Sequence, residues 1–446
     1  MAAHERFRLR SAADLEKEAK RLGLEIPFSE EISILLEKAA FGGRPVPNSL
    51  AALPMEGADA EVTGGPSEWT RRRYRRLAAG GAGLIWCEAA AVRADGRSNP
   101  NQLMLNEGTL GGFSRLVEEA RDAARKEWSA GHNPLLVLQL THSGRFAKPE
   151  GLPRPIIVQH NPHLDPVHDL PEDAPLISDR ELASIRDDFV EAADLALGAG
   201  FDAVDIKACH GYLVSETLAA HSREDSRYGG SFANRTRFLL EIVCGIRAEA
   251  PGLLVTSRLS ATDTVPFPYG FGMDPDQPNR IDLTETKALV ALLVRSGVRF
   301  LALSLGIPAW KPHYGRPFDE PTPGGRLPDE HPLEGVARHL GIASEIQRSS
   351  PWTPVVGAGY SWLRTLGPGV AAAMVTAGRG AAFGLGRGAL AYPDFAADLI
   401  RHGRLSSRKT CTTCSLCSHL LRRQRRVGCA VRDPEFTKTV GKGPEA

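Results

Sequence analysis

The 446-residue chain lacks any apolar run that approaches the roughly 20 residues needed to span a membrane. Its first residues, MAAHERFRLRSAADLEKEAKRLG, carry too many charges for a secretory signal. The formal net charge is only +1, which excludes the strong positive field typical of proteins that bind nucleic acid or anionic membranes. We therefore expect a cytoplasmic protein with reduced thiols that acts on a small molecule.

Cysteine is scarce as well, and its distribution is uneven. The chain has seven cysteines, and four of them lie between residues 411 and 446: Cys411, Cys414, Cys417 and Cys429. The spacing C-x2-C-x2-C-x11-C lets successive sulfurs converge on one small object, and the last cysteine supplies a fourth ligand. Four thiolates can hold either a tetrahedral zinc ion or a cubane iron–sulfur cluster. The spacing thus indicates a metal site and leaves the choice of metal open.

Eight short apolar runs of β type recur along the chain, each followed by a stretch with helical periodicity. The runs are Ser49–Leu53, Gly83–Cys87, Leu135–Leu140, Ala203–Ile206, Leu254–Leu259, Phe300–Ser304, Thr353–Val356 and Ala381–Leu385. This alternation predicts a parallel sheet, and eight strands predict its closure into an α/β fold of the (β/α)8 TIM-barrel type. A doubly wound sheet would need a Gly-rich turn after the first strand, which the sequence lacks.

We expect three parts: a helical extension at 1–40 that packs on the barrel floor, the barrel at 41–400, and a metal-binding tail at 401–446. Three long Pro/Gly-rich segments, at 148–175, 263–280 and 306–332, follow barrel strands and are expected to form binding loops. Four aromatic residues on these loops predict an aromatic-lined mouth for a bulky apolar substrate. They are Phe267, Tyr269, Trp310 and Tyr314.

Glycines follow the last two predicted strands directly. Gly357 and Gly359 lie in VVGAG, and Gly386 precedes Arg387 in FGLGRG. Glycines at such positions let a phosphate approach backbone N–H groups, and an arginine adds a bidentate donor. The loops after strands seven and eight are where barrels commonly bind phosphate. Tight turns that need a positive φ are the alternative explanation.

Three polar residues gather where the fourth predicted strand ends: Lys207, His210 and Tyr212. Each can donate a proton or a hydrogen bond. Together they suit the polarisation of a carbonyl group and the delivery of a proton beside it.

Several motifs together resemble the Old Yellow Enzyme family of FMN-dependent oxidoreductases. Tyr228-Gly229-Gly230-Ser231 and Asn234-Arg235 follow the strand end His-Gly-Tyr-Leu, as in that family, and the resemblance runs from about residue 45 to residue 396. It implies an FMN site in which Gln139 meets the flavin pyrimidine and Arg258 reaches the N1/O2 side. The full set of implied FMN contacts is Pro54, Met55, Glu56, Ala89, Gln139, Arg258, Gly357, Gly359, Gly386 and Arg387.

The cysteine motif is similar to the [4Fe–4S] site of the trimethylamine dehydrogenase and 2,4-dienoyl-CoA reductase relatives. Their second nucleotide-binding module has no counterpart in the 17 residues after Cys429. We therefore expect electrons to come from NAD(P)H or from a separate acidic carrier of the ferredoxin or flavodoxin type. Residues 401–426 carry eight Lys or Arg and no acidic residue, which suits such a partner. A homo-oligomer is compatible with the sequence.

The resemblance implies an enzyme that reduces an activated C=C bond, in an unsaturated carbonyl compound or an enoate. His210 with Lys207, or else His313, is expected to hold the substrate oxygen while hydride from flavin N5 reaches the β-carbon and Tyr212 protonates the α-carbon. Lys207 is a departure, because many relatives carry histidine there. Two alternatives stay open: an oxidative amine or ether dealkylase that passes electrons outward through the cluster, and a non-catalytic electron-transfer subunit.

Overall fold

Eight parallel strands form a closed barrel in the computed structural model, which describes residues 3–440. The strands are β3 (Leu50–Ala52), β4 (Leu84–Ala91), β5 (Leu135–Thr141), β6 (Ala203–Ala208), β7 (Leu254–Ser260), β8 (Leu301–Ser304), β9 (Val355–Val356) and β10 (Phe383–Leu385). They lie in the order β10-β3-β4-β5-β6-β7-β8-β9, and a parallel bridge from Val356 to Ala382 joins the two ends. The predicted (β/α)8 barrel is confirmed.

Helices alternate with these strands and cover the outside of the barrel. They are α1 (Ala12–Arg21), α2 (Ser33–Leu36), α3 (Glu68–Ala79), α4 (Leu110–Glu127), α5 (Asp179–Gly198), α6 (Leu213–Leu218), α7 (Phe232–Glu249), α8 (Thr284–Ser296), α9 (Pro312–Gly315), α10 (Pro332–Ser349), α11 (Gly367–Thr376), α12 (Arg387–Ala391), α13 (Phe395–His402), α14 (Leu416–Arg422) and α15 (Pro434–Val440). Helix α5 begins with a capping box, in which Ser178 and Glu181 satisfy each other's backbone N–H groups. Among residues 3–440, no helix combines the length and the apolarity needed to cross a membrane.

A short antiparallel hairpin, β1 (Ala39–Phe41) and β2 (Arg44–Val46), closes the floor of the barrel. Phe41 packs edge-on against Phe300 at 5.9 Å between ring centroids, and Phe300 in turn packs against Trp86 at 5.6 Å. The N-terminal extension reaches this end of the barrel through α2, where the carbonyl oxygen of Leu35 accepts a 2.9 Å hydrogen bond from the N–H of Ser49, directly before β3. Helix α2 also lies beside α11, and the preceding Ser29 N–H donates to the carbonyl oxygen of Gly369.

The tail folds back over one side of the barrel's C-terminal end. Asp433, just before α15, accepts a 2.9 Å hydrogen bond from Arg72 of α3 and another from Arg76. The amide of Gln424 donates to the carbonyl oxygen of Gly151 at 2.7 Å. These contacts hold the cysteine segment against the loops that follow the barrel strands. The last six residues of the predicted 401–446 tail, 441–446, lie outside the described residues.

Candidate active site and cysteine cluster

A cavity of about 350 Å³ opens at the carboxyl ends of the barrel strands. Its wall includes eleven residues that the sequence singled out for the site. They are Pro54, Met55, Glu56, Ala89, Gln139, Lys207, His210, Tyr212, Arg258, Gly386 and Arg387. Gly359 lines the cavity as a twelfth predicted residue, whereas Gly357, which precedes the wall residue Ala358, does not belong to the described wall. The barrel therefore brings together residues that are more than 300 positions apart in the sequence.

A buried carboxylate, Asp205, holds two residues of the cavity wall, Gln139 and Arg258. Its side chain accepts a 2.6 Å hydrogen bond from the amide of Gln139 and a second bond from the backbone N–H of Arg258. Burial raises the pKa of Asp205 to about 6, although these hydrogen bonds oppose the rise. Because strand side chains alternate, Asp205 and Lys207 lie on the same face of β6. Asp205 thus fixes the orientation of the Gln139 side chain.

Lys207 and Tyr212 are stacked on each other. The Lys207 ammonium lies 3.5 Å from the centroid of the Tyr212 ring, a cation–π contact. Burial lowers the pKa of Lys207 and the charge of Glu56 opposes this. Burial, reinforced by the charge of Glu56, raises the pKa of Tyr212 well above 10. Tyr212 therefore keeps its proton at neutral pH, as a proton donor must.

His210 stands beside this pair in a left-handed conformation, with φ of +66°. Its Nε2 shares a 2.8 Å hydrogen bond with the hydroxyl of Ser304 at the end of β8. Burial and the charges of Arg258 and Lys207 lower the pKa of His210 well below 6.5, so the imidazole is neutral. A neutral imidazole can still donate or accept one hydrogen bond in the cavity.

Glu56 is a carboxylate in the cavity wall, held by two neighbours from the loop after β4. It accepts hydrogen bonds from the hydroxyl of Ser98 and, at 2.6 Å, from the amide of Asn99. The Ser98 hydroxyl also opposes the rise in the pKa of Tyr212. Ser98 therefore connects the carboxylate with the phenol.

Two guanidinium groups each have a buried, unused nitrogen donor at the places where the sequence predicted flavin contacts. Arg258 donates to the carbonyl oxygen of Pro54 at 3.3 Å, and Arg387 donates to the carbonyl oxygen of Pro317. Among the described residues, Arg258 Nε and Arg387 Nη1 have no hydrogen-bond partner. Buried donors need acceptors, which the pyrimidine oxygens and the phosphate of FMN would supply.

Glycine at position 386 keeps the phosphate side of the cavity open. A Cβ there would lie 3.2 Å from the sulfur of Met55, inside the cavity wall. Gly359 adopts φ of +93°, a conformation that other residues rarely take. Together with the free donor of Arg387, these positions fit the phosphate of FMN.

His313 and the four loop aromatics lie elsewhere. His313 does not line the cavity but faces Glu330, with 3.9 Å between Nε2 and the carboxylate. The indole N–H of Trp310 donates to the carbonyl oxygen of Thr264. The Cζ atom of Arg338 lies 3.9 Å from the centroid of the Tyr314 ring. Within the described chain, Phe146 and Tyr212 are the only aromatic residues of the cavity wall, so the aromatic mouth expected from the sequence is not formed.

The cysteine segment adjoins the cavity, because Cys417 lies in the first turn of α14, whose residues Ser418, Leu421 and Arg422 belong to the cavity wall. Thr413 and Ser415, on either side of Cys414, both have positive φ, at +53° and +59°. Such strained backbone concentrates at functional sites. Backbone N–H groups donate to the sulfurs of Cys411 at 3.3 Å and Cys429 at 3.2 Å. Contacts of this kind tune the potential of iron–sulfur clusters.

The four cysteine sulfurs do not form a group as tight as that of a tetrahedral zinc site in the part of the chain that the structure describes. In a tetrahedral zinc site, four sulfurs about 2.3 Å from the ion lie roughly 3.8 Å apart. Among the described residues, the only group of three or more His, Cys, Asp or Glu donor atoms within 4.8 Å of one another is Glu5, Glu18 and His331. Arg21 already pairs with both of those carboxylates. Within residues 3–440, no three of the cysteine sulfurs therefore lie within 4.8 Å of one another.

Sequence reasoning missed several residues of the cavity. Asp205 was detectable in principle, because it lies two residues before Lys207 on one strand. Ser98 and Asn99 had no signal, since they lie in a loop. Arg316 comes from the long segment after β8 and reaches the cavity wall, where it donates to the hydroxyl of Ser415 at 2.8 Å. Only the folded chain reveals that contact.

Residues 41–274 match the model of the NADH:flavin oxidoreductase / NADH oxidase family, which is more than half of the chain. The chain belongs to this family. The match covers the sequence from β1 to the loop after β7, and thus the first five barrel strands. The resemblance identified from the sequence is confirmed.

Two relatives illustrate the range of the family. An NADH:flavin oxidoreductase of Gibberella zeae is 28% identical over 286 residues, which are 59% of this chain and 65% of that protein. An NADH oxidase of Thermoanaerobacter brockii is 27% identical over 390 residues, or 86% of this chain and 53% of that protein. The chain thus spans less than two thirds of the length of each.

Solved structures share the fold at low sequence identity. A 2-naphthoyl-CoA reductase has a TM-score of 0.72 at 19% identity, covering 92% of this chain and 58% of that one. Histamine dehydrogenase from Rhizobium sp. 4-9 has a TM-score of 0.69 at 21% identity, covering 93% of this chain and 54% of that one. These likenesses extend across nearly the whole chain.

Proposed function

We propose that this chain is an FMN-dependent oxidoreductase that reduces an activated C=C bond, with a [4Fe–4S] cluster held by Cys411, Cys414, Cys417 and Cys429. The observation that carries the proposal is one cavity that combines unused buried donors, on Arg258 and Arg387, with a protonated phenol, on Tyr212. When bound, FMN supplies a hydride and the cluster supplies single electrons. Gln139, Arg258 and Arg387 would hold the flavin.

Tyr212 is the proton donor in this proposal. Its phenol lines the cavity, and its raised pKa keeps it protonated at neutral pH. Phe146 stacks on it with 5.8 Å between ring centroids, and the Lys207 ammonium lies on the ring. These contacts fix the ring, so that the hydroxyl can protonate the α-carbon from one direction.

Lys207 and His210 hold the substrate oxygen, where negative charge grows as the β-carbon is reduced. A positioned donor at such an oxygen stabilises the transition state. His210 is fixed by Ser304 and Lys207 by Tyr212, so neither has to reorganise during the reaction. His313 has no part in this arrangement.

The charge of the cavity argues against the oxidation of an amine, the alternative that the name histamine dehydrogenase suggests. Besides Arg258 and Arg387, which would hold the flavin, the wall has four cationic side chains and a single carboxylate, that of Glu56. The four cations are Lys148, Lys207, Arg316 and Arg422. A protonated amine would be repelled, and the aromatic cage that could bind it is not formed. A cavity with a placed phenol also argues against a purely electron-transferring subunit.

Electrons would enter from NAD(P)H at the cavity or from an acidic carrier protein at the tail. Arg423 and Arg425, just after α14, are exposed and form no ion pair with any described residue. A positive surface next to the cluster would speed the encounter with an acidic ferredoxin or flavodoxin. Charge reversal of both arginines should slow reduction by such a carrier and leave reduction by NAD(P)H unchanged.

The test uses the full chain purified without oxygen, with assays of FMN, iron, sulfide and zinc. Chemically reduced enzyme is then mixed with an enone or an enoate, and the return of the oxidised flavin spectrum is followed. We expect reoxidation with formation of the saturated product, slowed about 100-fold or more in Tyr212→Phe. Bleaching of the oxidised enzyme by an amine, without any response of the reduced enzyme to alkenes, would contradict the proposal.

A further inference from the structure

Lys207 is a buried cation whose hydrogen-bonding capacity is unused. The residue is 5% exposed, yet it belongs to the cavity wall. It forms neither a hydrogen bond nor an ion pair with any described residue, and its ammonium contacts the face of the Tyr212 ring. An ammonium group has three N–H donors. Because Lys207 faces the cavity and no described residue accepts from it, a ligand in the cavity can supply the acceptor for these donors.

The carboxylate of Glu56 does not accept hydrogen bonds from Lys207. Glu56 acts on Lys207 only through its charge, and its oxygen Oε1 is already bound by Ser98 and Asn99. Asp205, two residues before Lys207 on β6, is likewise committed to Gln139 and to the N–H of Arg258. Neither acidic group forms a hydrogen bond or an ion pair with Lys207, so the donors of Lys207 stay available in the cavity.

The neighbouring donor, His210, cannot neutralise a charged ligand. It is neutral and shares its Nε2 with Ser304. The positive charge in contact with Tyr212 is that of Lys207. Arg258, its neighbour in register on β7, is expected to hold the flavin. A neutral imidazole suffices to donate a hydrogen bond to a neutral carbonyl oxygen, whereas a carboxylate also needs a positive charge, which an ammonium group supplies.

We infer that the alkene reduced in this cavity carries a carboxylate conjugated to its double bond, and that Lys207 selects this acid over neutral carbonyl compounds. The inference rests on the proposed function. In the reaction, hydride adds to the β-carbon, and the electron pair of the C=C bond shifts toward the carboxylate. The α-carbon then takes the proton of Tyr212, and water restores that proton. Lys207 stabilises the second negative charge that develops on the carboxylate, as a specificity-determining residue.

Binding to oxidised holoenzyme tests the inference without turnover. The probes are 3-phenylpropanoate and its amide, 3-phenylpropanamide, which share one carbon skeleton and lack the alkene double bond that the enzyme would reduce. We expect the wild type to bind the acid at least about tenfold more tightly than the amide. Lys207→Met should weaken acid binding by about 10- to 100-fold and change amide binding by less than about threefold. Lys207→Arg should restore part of the acid affinity.

Two further variants complete the binding test, one expected to strengthen acid binding and one expected to leave it unchanged. Glu56→Gln removes the one like charge from the wall, so acid binding should become a few-fold tighter. Lys126→Met removes an exposed lysine on α4, far from the cavity, and should change nothing. The inference is overturned if the wild type prefers the amide, if Lys207→Met weakens both probes equally, or if Glu56→Gln weakens acid binding.

Turnover separates this inference from the proposed function. Reduced holoenzyme is mixed with cinnamate, cinnamamide and a related enone. We expect cinnamate to react fastest in the wild type and to lose that advantage in Lys207→Met. If only the neutral compounds react, the proposed function stands and the acid selectivity fails. If no alkene reacts while the acid still binds through Lys207, the proposed function fails instead.

Discussion

The backbone N–H of Val427, in the cysteine tail, donates a 2.7 Å hydrogen bond to the carbonyl oxygen of Gly57. Gly57 follows Glu56 in the cavity wall, and its own N–H donates to the buried carboxylate of Glu88 at 2.5 Å. Arg73 binds that carboxylate and also the carbonyl oxygen of Val427, at 3.3 Å. One residue thus joins the cluster segment to the substrate cavity.

Gly57→Ala should disturb this junction. A Cβ at position 57 would lie 2.5 Å from Nη1 of Arg73 and 2.6 Å from Oδ1 of Asp59, closer than atoms pack. Because buried ion pairs hold Arg73, we expect a loss of about 1–3 kcal/mol of stability and less iron per chain. Thermal unfolding and iron assays measure both effects.

Gly341→Ala is the matched control for this change. A Cβ at this position, in α10, would meet nothing within 4 Å. We expect unchanged iron content and a stability equal to the wild type or up to about 1 kcal/mol higher. Equal iron loss in both variants would show that the Gly57 junction does not position the cluster.

Cys429→Ser should remove one ligand of the cluster. We expect iron and sulfide to fall well below the wild-type content, with loss of the broad iron–sulfur absorbance, while FMN is retained. Cys244→Ser, which changes an exposed cysteine on α7, should retain all three. Stoichiometric zinc in the wild type, lost in Cys429→Ser, would replace the cluster with a structural zinc site.

Arg387→Met should weaken FMN binding. The variant removes the buried donor expected to bind the phosphate, and charge-assisted bonds of this kind contribute about 1.5–3 kcal/mol. The dissociation constant should therefore rise by roughly 10- to 100-fold, as measured by fluorescence titration of the flavin-free protein. Arg180→Met, which changes an exposed arginine on α5, should bind FMN like the wild type. Equal affinities in both variants would place the phosphate elsewhere.

Asp263 should make stability fall as the pH rises. Burial raises its pKa to about 7 from an ordinary value of 3.8, so the folded protein holds a proton that the unfolded chain releases. The contribution of protonated Asp263 to the free energy of unfolding is fully present below about pH 4. It is lost as the pH rises to about 7, by as much as roughly 4 kcal/mol.

Asp263→Asn removes this dependence, because the amide keeps an acceptor for the N–H of Phe271 and needs no proton. Relative to the wild type, the variant should gain stability between pH 4 and pH 7. Urea unfolding at several pH values measures the difference. Asp194→Asn, at an exposed position of α5, should show no such gain. A gain that is the same at every pH would contradict the assignment.

The barrel and much of its site were predictable from the sequence. Lys207 could be assigned to the cavity because parallel strands carry their carboxyl ends to one place. Gln139 and Arg258 were assigned to it through the resemblance to the Old Yellow Enzyme family. Because side chains alternate along a strand, Asp205, two residues before Lys207 on β6, is predicted to lie on the same face as Lys207. Local patterns therefore determine which strand residues meet.

Contacts made by loops were not predictable in this way. Trp310 and Tyr314 lie on a long loop, and they turn to Thr264 and Arg338 rather than to the cavity. The attachment of Val427 to Gly57 joins segments 370 positions apart, between irregular stretches without periodicity. Such contacts depend on the path of the whole chain and leave no local signal.

Reduction of an activated C=C bond is tested most directly by the visible spectrum of chemically reduced, cluster-containing enzyme after anaerobic mixing with cinnamate. We expect the oxidised flavin spectrum to return while 3-phenylpropanoate forms in equal amount, and we expect Tyr212→Phe to slow this step about 100-fold or more. A reduced enzyme that stays reduced in the presence of cinnamate, cinnamamide and an enone, but whose oxidised form is bleached by an amine, would contradict the account.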